Sequence, residues 1–457
     1  MDAADPADRP GAAGAAGPAA AAQAPAGAAA GSADAATHAA IAAVWKREAG
    51  RIIAALARLL SGDVGSAEEI AQDALVTALE RWPADGVPDN PGAWLMTAAK
   101  HRALDRLRRE ALRARKHEQI GRELESLQAG VEPDFVDALD AARRDDVGDD
   151  LLRLIFTACH PALSAEARVA LTLRVLGGLS TGEIARAFLV PEATVAQRIV
   201  RAKRTLGAAR VAFEVPGPEA RAERLASVLE VIYLIFNEGY SAAAGRDWTR
   251  PALCGEALRL GRVLAGLAPD EGEAHGLVAL MEIQASRLAA RSDAQGRPVL
   301  LMDQDRRRWD RLQIRRGLAA LRRAEALGGA RGPYALQAAL AACHARARTP
   351  QETDWPRIVA LYDELARVAP SPVVALNRAV AVGMAQGPAA GLELIDALAG
   401  DPALQRYHLL PGVRADLLAR LGRRAEARAE FERAAELAGN EREKALLRER
   451  ARQQDDG

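Results

Sequence analysis

The sequence predicts an all-α fold, and three observations lead to this prediction. Alanine, leucine, arginine and glutamate dominate the composition, and all four favour helices. Aromatic residues make up only 4% of the chain, and runs of β-branched residues are scarce. From Ala39 onwards, apolar residues recur at helical spacing. We therefore expect helices that pack closely through small side chains.

The bulk properties of the chain limit its architecture and setting. Its 457 residues exceed the roughly 250–300 residues at which a single core stops growing, so two or more domains are expected. The 61 basic and 61 acidic side chains balance, so overall charge neither favours nor excludes nucleic acid. Three scattered cysteines, with no signal peptide and no membrane-length apolar run, favour a reducing, cytoplasmic setting without membrane association.

Composition divides the first third of the chain into a tail, a domain and a linker. Residues 1–37 are almost wholly Ala, Gly and Pro, which predicts a disordered tail. Residues 38–116 form a helical domain, interrupted by a loop from Pro83 to Pro91. Residues 117–150 carry eleven acidic and three arginine side chains, a net charge of 3 − 11 = −8. This segment is predicted to be an acidic linker.

The rest of the chain is predicted to hold a second small domain and a long helical array. Residues 151–210 form the second domain, and Pro216-Gly217-Pro218 breaks the helical pattern after it. Residues 219–450 form the array. Near its end, two pairs have the spacing of tetratricopeptide repeats and stand 37 residues apart: Ala390 with Leu394, and Ala427 with Phe431.

An acidic helix is predicted in the first domain. A capping box at Ser66–Glu69 predicts its start, and Trp82 its end. Ala71, Ala74, Leu75, Ala78, Leu79 and Trp82 form its apolar face. Glu69, Asp73 and Glu80 align on another face. Such a stripe on its own is more typical of a solvated surface than of an interface.

A basic helix follows, from about Ala93 to Arg115. Between Thr97 and Lys116 it carries eight basic and two acidic residues, a net charge of +6. Four arginines at positions i, i+4, i+7 and i+11 lie in one narrow stripe: Arg102, Arg106, Arg109 and Arg113. This pattern favours contact with a phosphate backbone, because a merely soluble helix usually interleaves both signs of charge.

A helix-turn-helix is predicted in the second domain. Ser180–Glu183 is a capping box for its first helix, residues 188–190 are the turn, and Pro191 suits the start of the second helix. The second helix has a core face of Val195, Ile199, Ala202 and Leu206. Its opposite surface, which would enter a major groove, carries Thr194, Gln197, Arg198, Arg201 and Arg204.

The ingredients of an enzyme or a metal site are missing from the sequence. It contains no glycine-rich phosphate loop, nucleophile elbow or His-x-x-x-His spacing. The cysteines are interpreted as buried structural residues. Asp303, Asp305 and Asp310 surround three arginines, which favours a salt-bridged turn over a cation site. We therefore predict no catalysis and no cofactor.

These motifs together resemble the sigma-70 family. Residues 67–74, 91–95 and 102–109 resemble its region two, and residues 178–185 and 194–203 resemble its region four. The two stand in the family's order with no region three between them, as in the extracytoplasmic-function (ECF) subfamily. Three further segments resemble the subgroup with a large C-terminal extension of tetratricopeptide type: residues 188–194, 236–241 and 303–310.

The resemblance implies a role for each candidate residue. Glu69, Asp73 and Glu80 would bind core RNA polymerase, whose β′ and β subunits are the implied partners. The minus-ten promoter element would contact Asn90, Trp94, Lys100, Arg102, Arg106, Arg109 and Arg113. The minus-thirty-five element would contact Thr194, Gln197, Arg198, Arg201, Lys203 and Arg204. The acidic linker would thread a channel that otherwise holds nucleic acid.

The extension is implied to control activity in cis, and in this subgroup to support it. Stacked helix pairs also provide a concave surface suited to a protein or peptide partner. A ligand- or partner-sensing regulator, with a helix-turn-helix joined to a repeat sensor, is the alternative. It would leave the features of residues 66–116 unexplained. A regulator should bind its operator alone, whereas a sigma factor should bring core polymerase to a promoter.

Overall fold

The computed structural model describes residues 26–122, 147–188, 190–241 and 248–455. Within these ranges the chain forms eighteen α-helices, linked by short turns and five 3₁₀ segments. The described residues contain no β-strand, and a single isolated bridge joins Ser292 to Pro298. The predicted all-α class is confirmed.

The first domain is built from α1 (Ala26–Leu59), α2 (Val64–Asp85) and α3 (Pro91–Arg122), which pack against one another. Ile53, Leu56, Trp82 and Leu95 lie at its centre with 2% exposure or less. Helix α1 begins earlier than the predicted end of the tail at residue 37. Alanine has the highest helix propensity, so the alanine-rich segment extends the helix backwards. Residues 1–25 lie outside the described part.

The predicted start of α2 is wrong, because the helix is capped by Asp63 rather than by Ser66. The Asp63 carboxylate accepts hydrogen bonds from the Ser66 backbone N–H at 3.0 Å and from the Ser66 hydroxyl at 2.6 Å. An aspartate satisfies the free N–H groups of a first turn as well as a serine does. At the other end, α2 continues past Trp82, and Gly86 with φ of +85° ends it.

The second domain contains α4 (Val147–Ala158), α5 (Ala165–Val175), α6 (Thr181–Phe188) and α7 (Glu192–Ala208). The capping box of α6 is confirmed. The Glu183 N–H donates to the Ser180 hydroxyl at 3.1 Å, and the Ser180 N–H donates back to the Glu183 carboxylate at 2.9 Å. All four predicted core residues of α7 are buried.

The predicted acidic linker is shorter than residues 117–150, because α3 and α4 extend into both ends of that segment. Asp150 in particular belongs to the packed structure. Its carboxylate is 1% exposed and pairs with Arg58 at 2.6 Å and with Arg153 at 2.9 Å. A buried carboxylate requires such partners. Residues 123–146, with most of the acidic side chains, lie outside the described part.

The extension is an array in which each helix contacts the next along the chain. Its members are α8 (Pro218–Tyr240), α9 (Pro251–Leu267), α10 (Gly272–Ala285), α11 (Arg311–Ala326), α12 (Pro333–Arg346), α13 (Trp355–Val368), α14 (Pro372–Ala385), α15 (Pro388–Leu398), α16 (Leu409–Arg420), α17 (Arg424–Leu437) and α18 (Glu441–Arg452). The predicted repeat register is wrong by one residue. Gly391 and Ile395, not Ala390 and Leu394, are buried as Ala427 and Phe431 are, so the offset is 427 − 391 = 36.

The core does not divide at the predicted domain boundaries. One continuous cluster of buried apolar residues runs from Ile41 in α1 to Ala285 in α10. It includes side chains of both small domains and of the first three helices of the extension. The start of the extension is therefore part of the same packed unit as the helix-turn-helix.

Candidate nucleic-acid interface

The three predicted acidic residues of α2 are all exposed. They lie off the face that buries Ala71, Ala74 and Ala78. One carboxylate oxygen of Glu69 is 3.7 Å from a guanidinium nitrogen of Arg106 on α3. The acidic stripe is thus an accessible surface directly beside the arginine stripe.

The arginine stripe of α3 is held by local contacts that leave it at the surface. Arg102 donates to the Thr77 hydroxyl on α2 at 2.5 Å. Arg106 pairs with Glu110 at 3.0 Å, and this hydrogen bond raises the pKa of Arg106. Arg109 donates to the carbonyl of Asp105 at 3.1 Å, and Arg113 is exposed. Their charges can therefore reach a phosphate backbone.

The loop before α3 brings two further candidate residues together. Asn90 is exposed, and its side-chain oxygen accepts a hydrogen bond from the Ala93 N–H at 3.1 Å, so it also caps α3. Trp94 is half-buried, with its ring edge-on to Trp82 and the ring centroids 5.4 Å apart. Lys100, two turns further along α3, is half-buried. The loop thus ends in an aromatic ring at the rim of the first domain.

Helix α7 is the second helix of the helix-turn-helix, the recognition helix, and presents most of its candidate residues to solvent. Gln197, Arg201 and Arg204 are exposed, and Thr194 is half-exposed. Arg198 is half-exposed because it lines a cleft of about 400 Å³, between the helix-turn-helix and Leu234, Asn237 and Glu238 of α8. Part of the predicted major-groove surface therefore adjoins the extension.

Lys203 is placed apart from the other candidate residues. Its ammonium group forms an ion pair with Glu68 of α2, which also accepts from Arg174 at 2.6 Å. Glu68 is only 3% exposed and lies three residues before Ala71, on the apolar side of α2. The spacing from Ala71 could have identified Glu68 as a buried carboxylate. Its partners could not have been predicted in this way, because they lie more than 100 residues away in sequence.

A further ion pair joins the two small domains. Lys46 of α1 pairs with Glu183 of α6 at 2.7 Å. Burial would raise the pKa of Glu183, but hydrogen bonds from Lys46 and Ser180 keep it below its usual value. The second domain is therefore docked on the first through three buried or half-buried carboxylates: Glu68, Asp150 and Glu183.

The extension braces the helix-turn-helix domain from the other side. Arg224 of α8 donates to the carbonyl of Phe156 at 2.9 Å, and Arg259 of α9 donates to that of Leu176 at 2.6 Å. Glu230 of α8 pairs with Arg168 of α5 at 3.0 Å. Arg250 donates to the carbonyl of Ala187 at the end of α6. These contacts fix α8 and α9 against three of the four helices of that domain.

Comparison with known families identifies the two small domains. Residues 46–113 match the model of sigma-70 region 2, and residues 153–206 match that of sigma-70 region 4. The chain belongs to the sigma-70 family, as an ECF sigma factor with a C-terminal extension. Within the extension of this sigma factor, residues 224–325 match a family of unknown function, DUF6596.

Two relatives agree with this assignment. An uncharacterized protein, R00370, of Rhizobium meliloti (strain 1021) is 47% identical over 382 residues, which cover 84% of this chain and 88% of the relative. The ECF RNA polymerase sigma factor SigK of Mycobacterium ulcerans (strain Agy99) is 28% identical over 171 residues, which cover 36% of this chain and 83% of SigK. The first likeness includes the extension, and the second is limited to a segment of about the length of the two sigma regions.

The family implies binding to core RNA polymerase and promoter DNA, and a role in transcription initiation.

All three cysteines are buried, as expected of structural residues, and burial raises the pKa of Cys159 to about 11. Asp305 and Asp310 cap helical turns, and Asp305 pairs with Arg307 at 3.0 Å, as a salt-bridged turn requires. No helix in the described ranges is long and apolar enough to cross a membrane.

Proposed function

We propose that this sigma factor recognises the minus-ten element with region 2 and the minus-thirty-five element with region 4, and that its extension controls both in cis. The observation that carries the proposal is the position of α7. Its exposed face bears Gln197, Arg201 and Arg204, with Thr194 half-exposed beside them. Arg198 lines the cleft with α8, and Lys203 pairs with Glu68.

Region 2 would open the promoter through its arginine stripe and aromatic rim. Arg102, Arg106, Arg109 and Arg113, with Lys100, would hold the displaced strand by its phosphates. Trp94 and Asn90 would receive an extruded base. Unstacking that base from the duplex costs a few kcal/mol. The exposure of Asn90 and the half-exposed ring of Trp94 support this role.

The acidic stripe of α2 would bind the polymerase. Glu69, Asp73 and Glu80 are exposed, and none is needed for the apolar core. A basic helical surface of the β′ subunit would complement them electrostatically. The adjacent arginine stripe would then be directed towards the DNA on the neighbouring face of region 2.

Control in cis would act on a closed arrangement of regions 2 and 4. Binding both promoter elements requires the two regions to separate, because the elements lie at different positions along the DNA. Separation would break the Lys203–Glu68, Lys46–Glu183 and Arg58–Asp150 pairs, and the recognition helix would gain the free charge of Lys203. The bracing contacts of α8 and α9 would set how readily this happens.

In vitro transcription with core polymerase tests the proposal. The full chain and core enzyme are incubated with genomic fragments, and transcript start sites are mapped. We expect start sites that share one minus-ten and one minus-thirty-five sequence and that require both proteins. Sequence-specific DNA binding by the chain alone, with no transcripts from core polymerase, would support the sensing regulator instead.

A further inference from the structure

The extension contains a cavity that none of the candidate polymerase- or promoter-binding residues lines. It has a volume of about 680 Å³ and lies among α8, α10, α12, α13 and α14. Small-molecule sites in proteins have volumes of about 300–1,000 Å³ and combine apolar walls with a few polar groups. Three aromatic side chains, Tyr233, Trp355 and Tyr362, form part of its wall.

A buried cation without an anionic partner lines this cavity. Arg287, which follows α10, is 7% exposed. Its Nε is inaccessible to water and has no hydrogen-bond partner. In residues 26–122, 147–188, 190–241 and 248–455, no carboxylate forms an ion pair with it. Its closest aromatic contacts are the Tyr240 and Trp309 rings, both with centroids 5.8 Å from the guanidinium carbon.

Two neighbouring arginines add positive charge around Arg287. The nearby guanidinium of Arg291 lies 3.8 Å above the Tyr240 ring, and that of Arg306 donates to the carbonyls of His344 and Ala347 at 2.8 Å each. Burial lowers the pKa of Arg287; Tyr240 opposes this shift, and the charge of Arg291 adds to it. A buried charge without a counter-ion destabilises a fold, so an anion is the missing partner that this position calls for.

Two further polar atoms in the cavity wall have no hydrogen-bond partner. They are Oε1 of Gln284 and Nδ1 of His344, and both are inaccessible to water. Burial lowers the pKa of His344 to about 4, and the charges of Arg287 and Arg306 lower it in the same direction. The imidazole is therefore neutral at physiological pH and can donate or accept a hydrogen bond. Because both atoms are inaccessible to water, a ligand in the cavity would not contact them directly, so they do not indicate its chemistry.

We propose that this cavity binds a small organic anion, with its carboxylate or phosphate group against Arg287 and a flat apolar body between Trp355 and Tyr362. A guanidinium binds both kinds of oxyanion through paired N–H donors. A cation would be repelled by Arg287 and its arginine neighbours. A neutral apolar ligand would leave the guanidinium unpaired.

The position of the cavity would allow a bound ligand to influence region 4 through α8. Tyr233 lies on α8, the helix that holds Arg168 and Phe156 of the region 4 domain through Glu230 and Arg224. Binding itself does not depend on the promoter assignments. A binding measurement can therefore fail while the sigma function stands, and the reverse also holds.

Thermal unfolding of the full chain tests the proposal with phenyl phosphate, benzoate and, as a neutral probe, benzyl alcohol, all at constant ionic strength. We expect phenyl phosphate or benzoate to raise the melting temperature, and benzyl alcohol to leave it unchanged. The anion that acts identifies whether the site takes a phosphate or a carboxylate. No rise with either anion would overturn the proposal.

Two variants separate a binding role of Arg287 from a structural one. Arg287→Met should abolish the rise and increase the melting temperature of the unliganded protein, because it removes an uncompensated buried charge. Arg287→Lys should weaken binding about tenfold in titration calorimetry, since it loses the paired donors. The exposed Arg315 provides the control, and Arg315→Met should behave as wild type. Should Arg287→Met fail to fold, the lysine variant decides, and wild-type affinity in either variant would contradict the proposal.

Discussion

At the scale of single residues, the acidic stripe of α2 can be tested without disturbing the core. Glu69 and Asp73 are exposed and lie off the apolar face. Reversing both charges, as Glu69→Lys with Asp73→Lys, should weaken binding to core polymerase while thermal stability changes little. The control is the double reversal of Glu325 and Glu436, which are exposed on the extension. Equal polymerase affinity in both double variants would show that the acidic stripe is a solvated surface and not a polymerase interface.

Two arginines of the recognition helix should differ in what they contribute to promoter binding. Arg198→Ala should weaken binding of the minus-thirty-five element by about 1–3 kcal/mol and relax its specificity, as expected for a contact to a base edge. Arg201→Ala should weaken binding evenly across sequences, as expected for a phosphate contact. Competition binding with mutated promoters, in the presence of core polymerase, measures both. Wild-type selectivity and affinity in both variants would contradict the proposed docking of α7.

The Lys46–Glu183 pair predicts an acid dependence of stability. Its contacts hold the pKa of Glu183 below the usual 4.5 of a glutamate, despite burial. A carboxylate with a lowered folded-state pKa stabilises the protein above the unfolded-state value, and this contribution is lost as pH falls through the folded-state pKa. Melting temperatures of wild type and Lys46→Met should therefore differ at pH 6 and converge as the pH falls through the folded-state pKa of Glu183, which lies below 4.5. A constant difference in melting temperature across this pH range would show that the Lys46–Glu183 pair does not cause the acid dependence of stability.

At the scale of the element, the start of α2 rests on a residue that sequence patterns did not select. Both Asp63 and Ser66 suit a helix N-terminus, and only the folded chain shows which of them caps it. Asp63→Ala should destabilise the protein by about 0.5–2 kcal/mol, the usual range for a lost cap. Ser66→Ala should have a smaller effect, since it leaves the bond from the Ser66 N–H to Asp63 intact. Chemical denaturation measures both, and the reverse order of effects would favour Ser66 as the cap.

Helix identities could be predicted where the sequence carries local signals. The core face of α7 and the capping box of α6 follow from spacing alone, because both depend on residues within a few positions of each other. The ends of helices and the register of the repeats were harder to predict from the sequence. The start of α1 at Ala26 depends on how far the alanine-rich segment continues the helix. The one-residue shift of the repeat register depends on which helix face packs against the neighbouring helices.

At the scale of the whole molecule, Glu68 should control the balance between closed and open arrangements. Its carboxylate holds Arg174 and Lys203, so the neutral Glu68→Gln should cost the closed arrangement about 3–5 kcal/mol, as breaking a buried ion pair does. Hydrogen exchange in α7 should rise, and core polymerase should bind more tightly because less of the closed state must be opened. Glu436→Gln, an exposed change of the same type, is the control. Weaker polymerase binding by Glu68→Gln would refute this role.

The continuous core limits how the extension can be studied. Val228 and Ile232 of α8 belong to the same buried cluster as the helix-turn-helix residues Val195 and Ile199. Removing the extension at Gly217 would expose this apolar surface, so the truncated chain does not isolate the effect of control in cis. Substitutions at the bracing contacts, such as Glu230→Ala, examine it in the intact protein.

The sequence by itself determined the helical class, the two sigma regions and the charge stripes of α2, α3 and α7, because periodicity, caps and local charge are encoded within one or two turns. The tertiary structure alone decided that Lys203 pairs with Glu68, 135 residues away. It also placed Arg198 beside α8 and left Arg287 buried without a counter-ion among the described residues. Such features depend on which helix faces meet, and packing between distant segments fixes this in ways that no local pattern records.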